Sequence, residues 1–118
     1  MPWDFDNTRP IYTQLLDRVQ MMIVSGEYQP GDKLPSVREF AAEAGVNPNT
    51  MQRAMAELER IGLVYSNRTS GRMITDNKKR IEELKMTTAL ESLQAFIEDM
   101  KKLGYGKEDI LQMIEKNY

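Results

Sequence analysis

Amide and guanidinium side chains concentrate in a short polar stretch at residues 47–53. Its hydrogen-bonding members are Asn47, Asn49, Thr50, Gln52 and Arg53. Asn and Gln can bond an adenine edge with two hydrogen bonds, and Arg can do the same with guanine. If one helix presents these side chains together, their chemistry suits the reading of base pairs in the DNA major groove.

Polar residues on either side of this stretch have the chemistry of phosphate ligands. They are Ser36 and Arg38 upstream, and Arg68, Ser70, Gly71 and Arg72 downstream. Arginine forms charge-assisted, bidentate hydrogen bonds with phosphate, and hydroxyl and backbone N–H groups also contact it. We therefore expect the arginines of this set to clamp phosphates and the set as a whole to contact DNA.

The elements that must position both sets are two short helices joined by a tight turn. Ser36 followed by Glu39 is a capping box, which predicts a helix from there to Gly45. Asn47 can cap the next helix, with Pro48 at its first position. The buried face of this second helix is predicted from its spacing as Met51, Ala54, Met55, Leu58 and Ile61. This order is typical of a helix-turn-helix.

A small β-hairpin is predicted next, because β-compatible runs at residues 63–65 and 73–75 flank a polar tip at residues 67–72. The predicted fold class is therefore mainly α with a small β-hairpin wing. It consists of a winged helix-turn-helix domain over residues 1–76, completed by a first helix that Pro10 opens and Gly26 ends. The predicted core residues are Leu15, Val19, Ile23, Leu34, Val37, Phe40, Ala41, Val46, Met51, Met55, Leu58, Leu63 and Ile74.

A short arm precedes the first helix and carries two aromatic residues, Trp3 and Phe5. We predict that they pack on the same domain. The alternative is a contact with a second subunit or a ligand.

Residues 77–118 are predicted to form a two-helix dimerisation tail. The apolar residues of its first helix recur mainly in steps of four and three, namely Met86, Leu90, Leu93, Phe96, Ile97 and Met100. So short a tail cannot bury this face alone, and the seam is predicted to join two copies, with packing on the winged domain as the alternative. The polar residues 76–80 are predicted to be a solvated linker rather than a phosphate contact.

Composition argues against catalysis and metal binding. The 118 residues include no Cys and no His, which removes the commonest general base and the commonest zinc ligand. We expect no enzyme activity, no metal and no cofactor. The net charge of −2 is neutral evidence on DNA binding, because a local basic face suffices. No apolar run approaches the roughly 20 residues of a membrane span, and a cytoplasmic location is expected.

The stretch from Pro10 to Val64 resembles the DNA-binding domain of the GntR family of bacterial transcription regulators, and the short tail is similar to that of its YtrA subfamily. The most specific motifs are Pro10-Ile11-Tyr12, Gly31-Asp32-Lys33-Leu34-Pro35-Ser36, Arg38-Glu39 and Gly62-Leu63-Val64. The resemblance implies a homodimer that represses transcription, often of a transporter operon, and releases double-stranded DNA when a small-molecule effector binds. Gln52 stands where many members have Arg, which favours adenine over guanine at that contact. The alternative function is a winged-helix protein–protein adaptor without DNA binding.

Overall fold

Five helices and one two-stranded antiparallel sheet make up residues 3–118, the part of the chain that the computed structural model describes. In chain order they are α1 (Ile11–Val24), α2 (Val37–Ala44), α3 (Pro48–Arg60), β1 (Val64–Asn67), β2 (Gly71–Ile74), α4 (Lys78–Lys102) and α5 (Lys107–Asn117). The chain divides into two compact units, one ending at Leu84 and one spanning Lys85–Tyr118. The predicted fold class is confirmed. No helix among these residues is long and apolar enough to cross a membrane.

Local capping defines the helix-turn-helix, as predicted. The Ser36 hydroxyl accepts a hydrogen bond from the backbone N–H of Glu39 at 3.1 Å, and the Glu39 carboxylate accepts one from the N–H of Ser36 at 3.2 Å. Gly45 ends α2 in the left-handed conformation, at φ +75°, where a side chain would be strained. Asn47 then caps α3 by accepting from the N–H of Asn49 at 2.7 Å. The starts of both helices are therefore fixed by hydrogen bonds between residues two or three positions apart.

The core of the first unit forms where α3 packs against both α1 and α2. Eleven of the predicted core residues are buried. Val37 and Val46 are wrong as core residues because each is only half-buried. Val37 is the first residue of α2 and Val46 lies in the turn after it, and both pack against the buried cluster from its edge. Five further residues join the buried cluster: Met22, Ala44, Ala54, Val64 and Ile81.

Both wing strands extend further toward the hairpin tip than the apolar runs at residues 63–65 and 73–75 predict. Val64 pairs with Ile74, and Asn67 pairs with Gly71, so the tip shrinks to residues 68–70. The Asn67 side chain causes this, since it accepts hydrogen bonds from the N–H groups of Thr69 at 3.0 Å and Ser70 at 3.3 Å. The segment before α2 also pairs with β2, because the N–H of Leu34 donates to the Arg72 carbonyl at 2.9 Å.

The N-terminal arm packs on its own domain, as predicted. The Trp3 N–H donates to the Ala44 carbonyl at the end of α2, at 3.1 Å. The Trp3 ring meets Phe40 edge to face, with 5.4 Å between ring centroids. The Arg18 guanidinium of α1 lies 5.2 Å from the centroid of the same Trp3 ring, which is a cation–π contact. The arm therefore closes over the junction of α1 and α2.

Only residues 76 and 77 of the predicted linker lie outside a helix, because α4 begins at Lys78. The Arg80 guanidinium donates to the Ile61 carbonyl through Nε at 3.3 Å and a terminal nitrogen at 3.1 Å. This contact satisfies a carbonyl at the end of α3, and Ile81 is buried in the same core. The first turns of α4 therefore belong to the winged unit.

The second unit contains the rest of α4, a break at Gly104 and α5. The N–H of Gly106 donates to the Asp109 carboxylate at 3.0 Å, which caps the start of α5. An apolar groove of about 710 Å³ lies between the two helices, lined mainly by Leu93, Phe96, Ile97, Ile110, Leu111 and Ile114. Among the described residues of this unit, Ile110 alone is buried.

Candidate nucleic-acid interface

The opening of α3 presents a polar surface opposite its buried side. Met51, Met55 and Leu58 face the core, and Asn49, Gln52 and Arg53 are exposed. The structure therefore brings three of the predicted base-reading residues onto one solvent-facing surface. Thr50 is half-buried at the edge of that surface, and Asn47 uses its side-chain oxygen to cap α3. Its amide NH₂ is then the group of Asn47 left for a ligand.

Arg53 is held in place by an aromatic residue of α1. Its guanidinium carbon lies 4.0 Å from the centroid of the Tyr12 ring, which is a cation–π stack. Arg53 nevertheless stays exposed, while Tyr12 is half-buried. The stack limits the rotamers of a long side chain and leaves its N–H groups at the ring edge able to donate. Tyr12 therefore belongs to the site, although sequence reasoning did not place it there.

Four of the six predicted residues that flank the base-reading stretch meet at a crevice between the start of α2 and the wing. The crevice has a volume of about 530 Å³, and its lining includes Lys33, Ser36, Ser70, Gly71 and Arg72. The Ser36 oxygen caps α2, but its hydroxyl hydrogen can still be donated. Lys33 adds a cation that sequence reasoning missed. Arg38 on α2 and Arg68 at the wing tip are exposed and do not line this crevice.

Arg72 forms an ion pair with a residue of α3. Its Nε lies 3.2 Å from Oε1 of Glu59 on α3, and the same oxygen accepts a hydrogen bond from the Ser66 hydroxyl at 2.8 Å. These contacts, first with Ser66 and then with Arg72, hold the pKa of the Glu59 carboxyl below its ordinary value. Glu59 therefore stays ionised at neutral pH, and the pair is lost only as the pH falls through that lowered pKa.

The last turn of α3 carries a second ion pair. Arg60 donates from Nε to the Glu57 carboxylate three residues earlier, with the longer of its two contacts at 3.0 Å. Arg60 is strongly exposed, so it is a surface charge. Two of the arginines near the candidate interface are thus neutralised locally, while Arg38, Arg53 and Arg68 keep an exposed positive charge.

Comparison with known proteins decides the family. The family described as "Bacterial regulatory proteins, gntR family" matches residues 11–74, more than half of the chain. The chain belongs to the GntR family. The matched range contains α1, α2, α3 and the wing, with every residue of the surface described above.

In relatives of about the same length, the similarity to this GntR-family chain also covers the tail. It is 43% identical to the uncharacterized HTH-type transcriptional regulator YhcF of Bacillus subtilis, over 94% of the chain and 92% of that protein. It is 38% identical to the HTH-type transcriptional repressor YtrA of the same organism, over 93% of the chain and 85% of that protein. A solved GntR-family regulator from Listeria monocytogenes superposes with a TM-score of 0.90 at 44% identity, covering 97% of the chain and 100% of that structure.

These matches confirm the resemblance to the GntR family and its YtrA-type members. The chain is a transcriptional regulator with a helix-turn-helix DNA-binding domain, and it is not an enzyme. The conclusion agrees with the surface at the start of α3, whose amide and guanidinium groups suit base edges rather than a reaction centre.

Proposed function

We propose that this regulator is a repressor that binds, as a homodimer, a two-fold related operator beside its own transporter-type operon in the bacterial cytoplasm. The observation that carries the proposal is the exposed opening of α3. Asn49, Gln52 and Arg53 stand there together on a helix held rigidly by two others. The second helix of a helix-turn-helix places this part in the major groove. The transporter-type operon is inferred only from the similarity to the YtrA subfamily.

The flanking residues would clamp the DNA backbone. We assign phosphate contacts to Arg38, Arg68 and the crevice residues Ser36, Ser70 and Gly71, which present a guanidinium, hydroxyls and backbone N–H groups. Exposed positive charge then lies on both sides of the base-reading surface, although the chain as a whole carries −2. Such a local arrangement makes affinity depend on salt, because bound phosphates release counterions.

The homodimer is supported by the exposed apolar residues of the second unit. Met86 is 61% exposed, Leu90 51%, Leu93 46% and Phe96 40%, while Ile97 and Met100 of the predicted seam are half-buried. A two-helix unit of 34 residues is too small to build a core of its own. A second copy would cover this face symmetrically, and two linked recognition helices would read the two halves of one operator.

The test is fluorescence anisotropy with the full chain, using duplex DNA from upstream of its own gene and a scrambled duplex, across a salt series. The expected result is selective binding with a steep negative slope of log affinity against log salt. Equal weak binding to both duplexes would contradict the proposed operator. No binding even at low salt would favour the protein–protein adaptor.

Replacement of Arg38 by Ala is expected to weaken binding to every DNA sequence. The salt slope should flatten by about one unit, because one phosphate contact is lost. The matched control is Lys116→Ala in α5, which also removes one exposed cation but lies outside the winged unit. An unchanged slope in the Arg38 variant would refute its phosphate role.

Replacement of Gln52 by Ala is expected to relax the preference at a single base position. The wild type should discriminate against the wrong base there by about 1–3 kcal/mol, and the variant should not. A panel of operators with single base-pair changes measures this by anisotropy. If the variant binds all members of the panel more weakly by the same factor, Gln52 contributes no base contact.

A further inference from the structure

We infer that Glu59 positions the wing for DNA binding by joining both of its strands to the recognition helix, and that Arg72 serves this contact instead of binding phosphate. We call Glu59, Ser66 and Arg72 the wing clamp. The inference rests on the proposed DNA-binding function. It concerns residues that position the contacts of the wing, not residues that touch DNA themselves.

The geometry of the wing clamp joins three elements at one oxygen. Glu59 lies in the last turn of α3, Ser66 on β1 and Arg72 on β2. Ser66 and Arg72 are partners in the strand register, so they lie directly opposite each other. Because paired residues project to the same face of a hairpin, one carboxylate oxygen can accept from the Ser66 hydroxyl at 2.8 Å and from Arg72 at 3.2 Å.

The position of the clamp along the hairpin explains why it matters. At the inner end, Val64 and Ile74 are buried in the core. An isolated two-stranded hairpin has little stability in water, so the exposed outer half needs its own attachment. Ser66 and Arg72 form the register pair next to Asn67 and Gly71, which close the hairpin. The clamp therefore fixes the outer half close to the tip that carries Arg68.

The charge balance separates Arg72 from the other cations of the interface. Its side chain is only 21% exposed and already faces an ionised carboxylate. A phosphate that approached Arg72 would also approach Glu59, and the repulsion would offset the gain. Arg68 at the wing tip is fully outside this pair and exposed. The cation of the wing that meets phosphate is accordingly Arg68.

Three variants test the wing clamp: Glu59→Gln, Arg72→Met and the double variant. Each single variant is expected to speed amide hydrogen exchange at residues 65–74 of the free protein by about two- to fivefold, the range for loss of an exposed ion pair. Each should lower the ratio of affinities for the upstream duplex and the scrambled duplex by a similar factor. The double variant should be no worse than either single variant, because all three remove the same ion pair between Glu59 and Arg72.

The matched control is Glu57→Gln, which removes the same charge from the same turn of α3 but pairs with Arg60 and not with the wing. It should change neither the exchange of the wing nor the affinity ratio. Arg68→Met should flatten the salt slope by about one unit and leave the exchange of the wing unchanged.

If Arg72 instead contacted phosphate directly, the variants would behave differently. Arg72→Met would then flatten the salt slope like Arg68→Met, Glu59→Gln would tighten binding to both duplexes, and the two effects would add. That pattern, or unchanged exchange at residues 65–74 in both single variants, would overturn the inference. If the wild type fails to distinguish the two duplexes, the proposed function fails, and hydrogen exchange in the free protein still decides whether the clamp holds the wing.

Discussion

Leu90→Glu is expected to convert the proposed dimer into a monomer and to lower the affinity for a two-fold operator by about 10²–10⁴-fold. Leu90 lies in the middle of the predicted seam and is half-exposed within one chain. A carboxylate placed at a two-fold seam would be buried beside the same carboxylate of the second copy, and burial and like-charge repulsion would both oppose association. Loss of the dimer removes the second, intramolecular binding step, which accounts for a factor of this size.

Two measurements separate this effect from simple unfolding. Sedimentation equilibrium should give the mass of one chain for Leu90→Glu, while circular dichroism keeps the helical signal of the wild type. Affinity for a duplex with a single half-site should stay the same in both proteins. The matched control is Ser92→Glu, an exposed position of the same helix outside the seam, and it should remain dimeric. A Leu90→Glu variant that stays dimeric would disprove the seam.

Features encoded by neighbouring residues could be predicted from the sequence. The capping box of Ser36 and Glu39 and the Asn47 cap of α3 act over two or three positions, so they are readable as local patterns. The helical spacing of the apolar residues also identified the buried side of α3. These two signals together are enough to predict the helix-turn-helix, and the family comparison confirms it.

The degree of burial was harder to predict, because the spacing of apolar residues identifies the buried face of a helix but not where that face ends. Val37 and Val46 have the right residue type, yet Val37 begins α2, Val46 lies in the turn after it, and both are only half-buried. Ile81 follows a polar run that is typical of a linker, and it is buried. Its environment depends on Arg80 reaching Ile61, nineteen positions away, which no local pattern reveals.

The chemical state of the candidate site depends on such distant pairs. The sequence identifies Arg53 and Arg72 as two similar exposed cations on or beside the recognition helix. In the structure, Tyr12 orients Arg53 across 41 positions and leaves its N–H groups available. Arg72 is instead neutralised by Glu59, thirteen positions away. Residue type and spacing therefore predict a candidate interface, and only the pairing shows which of its cations lack a partner carboxylate among the residues that the structure describes.

Phe40→Ala is expected to lower the free energy of unfolding of the winged unit by about 3–5 kcal/mol. Phe40 is fully buried in α2. Its ring meets Trp3 edge to face at 5.4 Å and Tyr28 at 6.3 Å between centroids, and such pairs stabilise beyond the burial of area. The cavity would lie between the arm, the loop after α1 and helix α2. Urea unfolding followed by circular dichroism measures the loss.

The expected loss is a large fraction of the roughly 5–15 kcal/mol that stabilises a whole domain. Operator binding should therefore also fail at temperatures where the wild type still binds. Val37→Ala is the matched control on the same helix, and its half-buried side chain should cost about 1 kcal/mol or less. Trp3 is the single tryptophan of the chain, and its emission should shift to longer wavelength in Phe40→Ala before any urea is added. Equal urea midpoints for the two variants would show that the aromatic cluster does not hold the arm and α2 together.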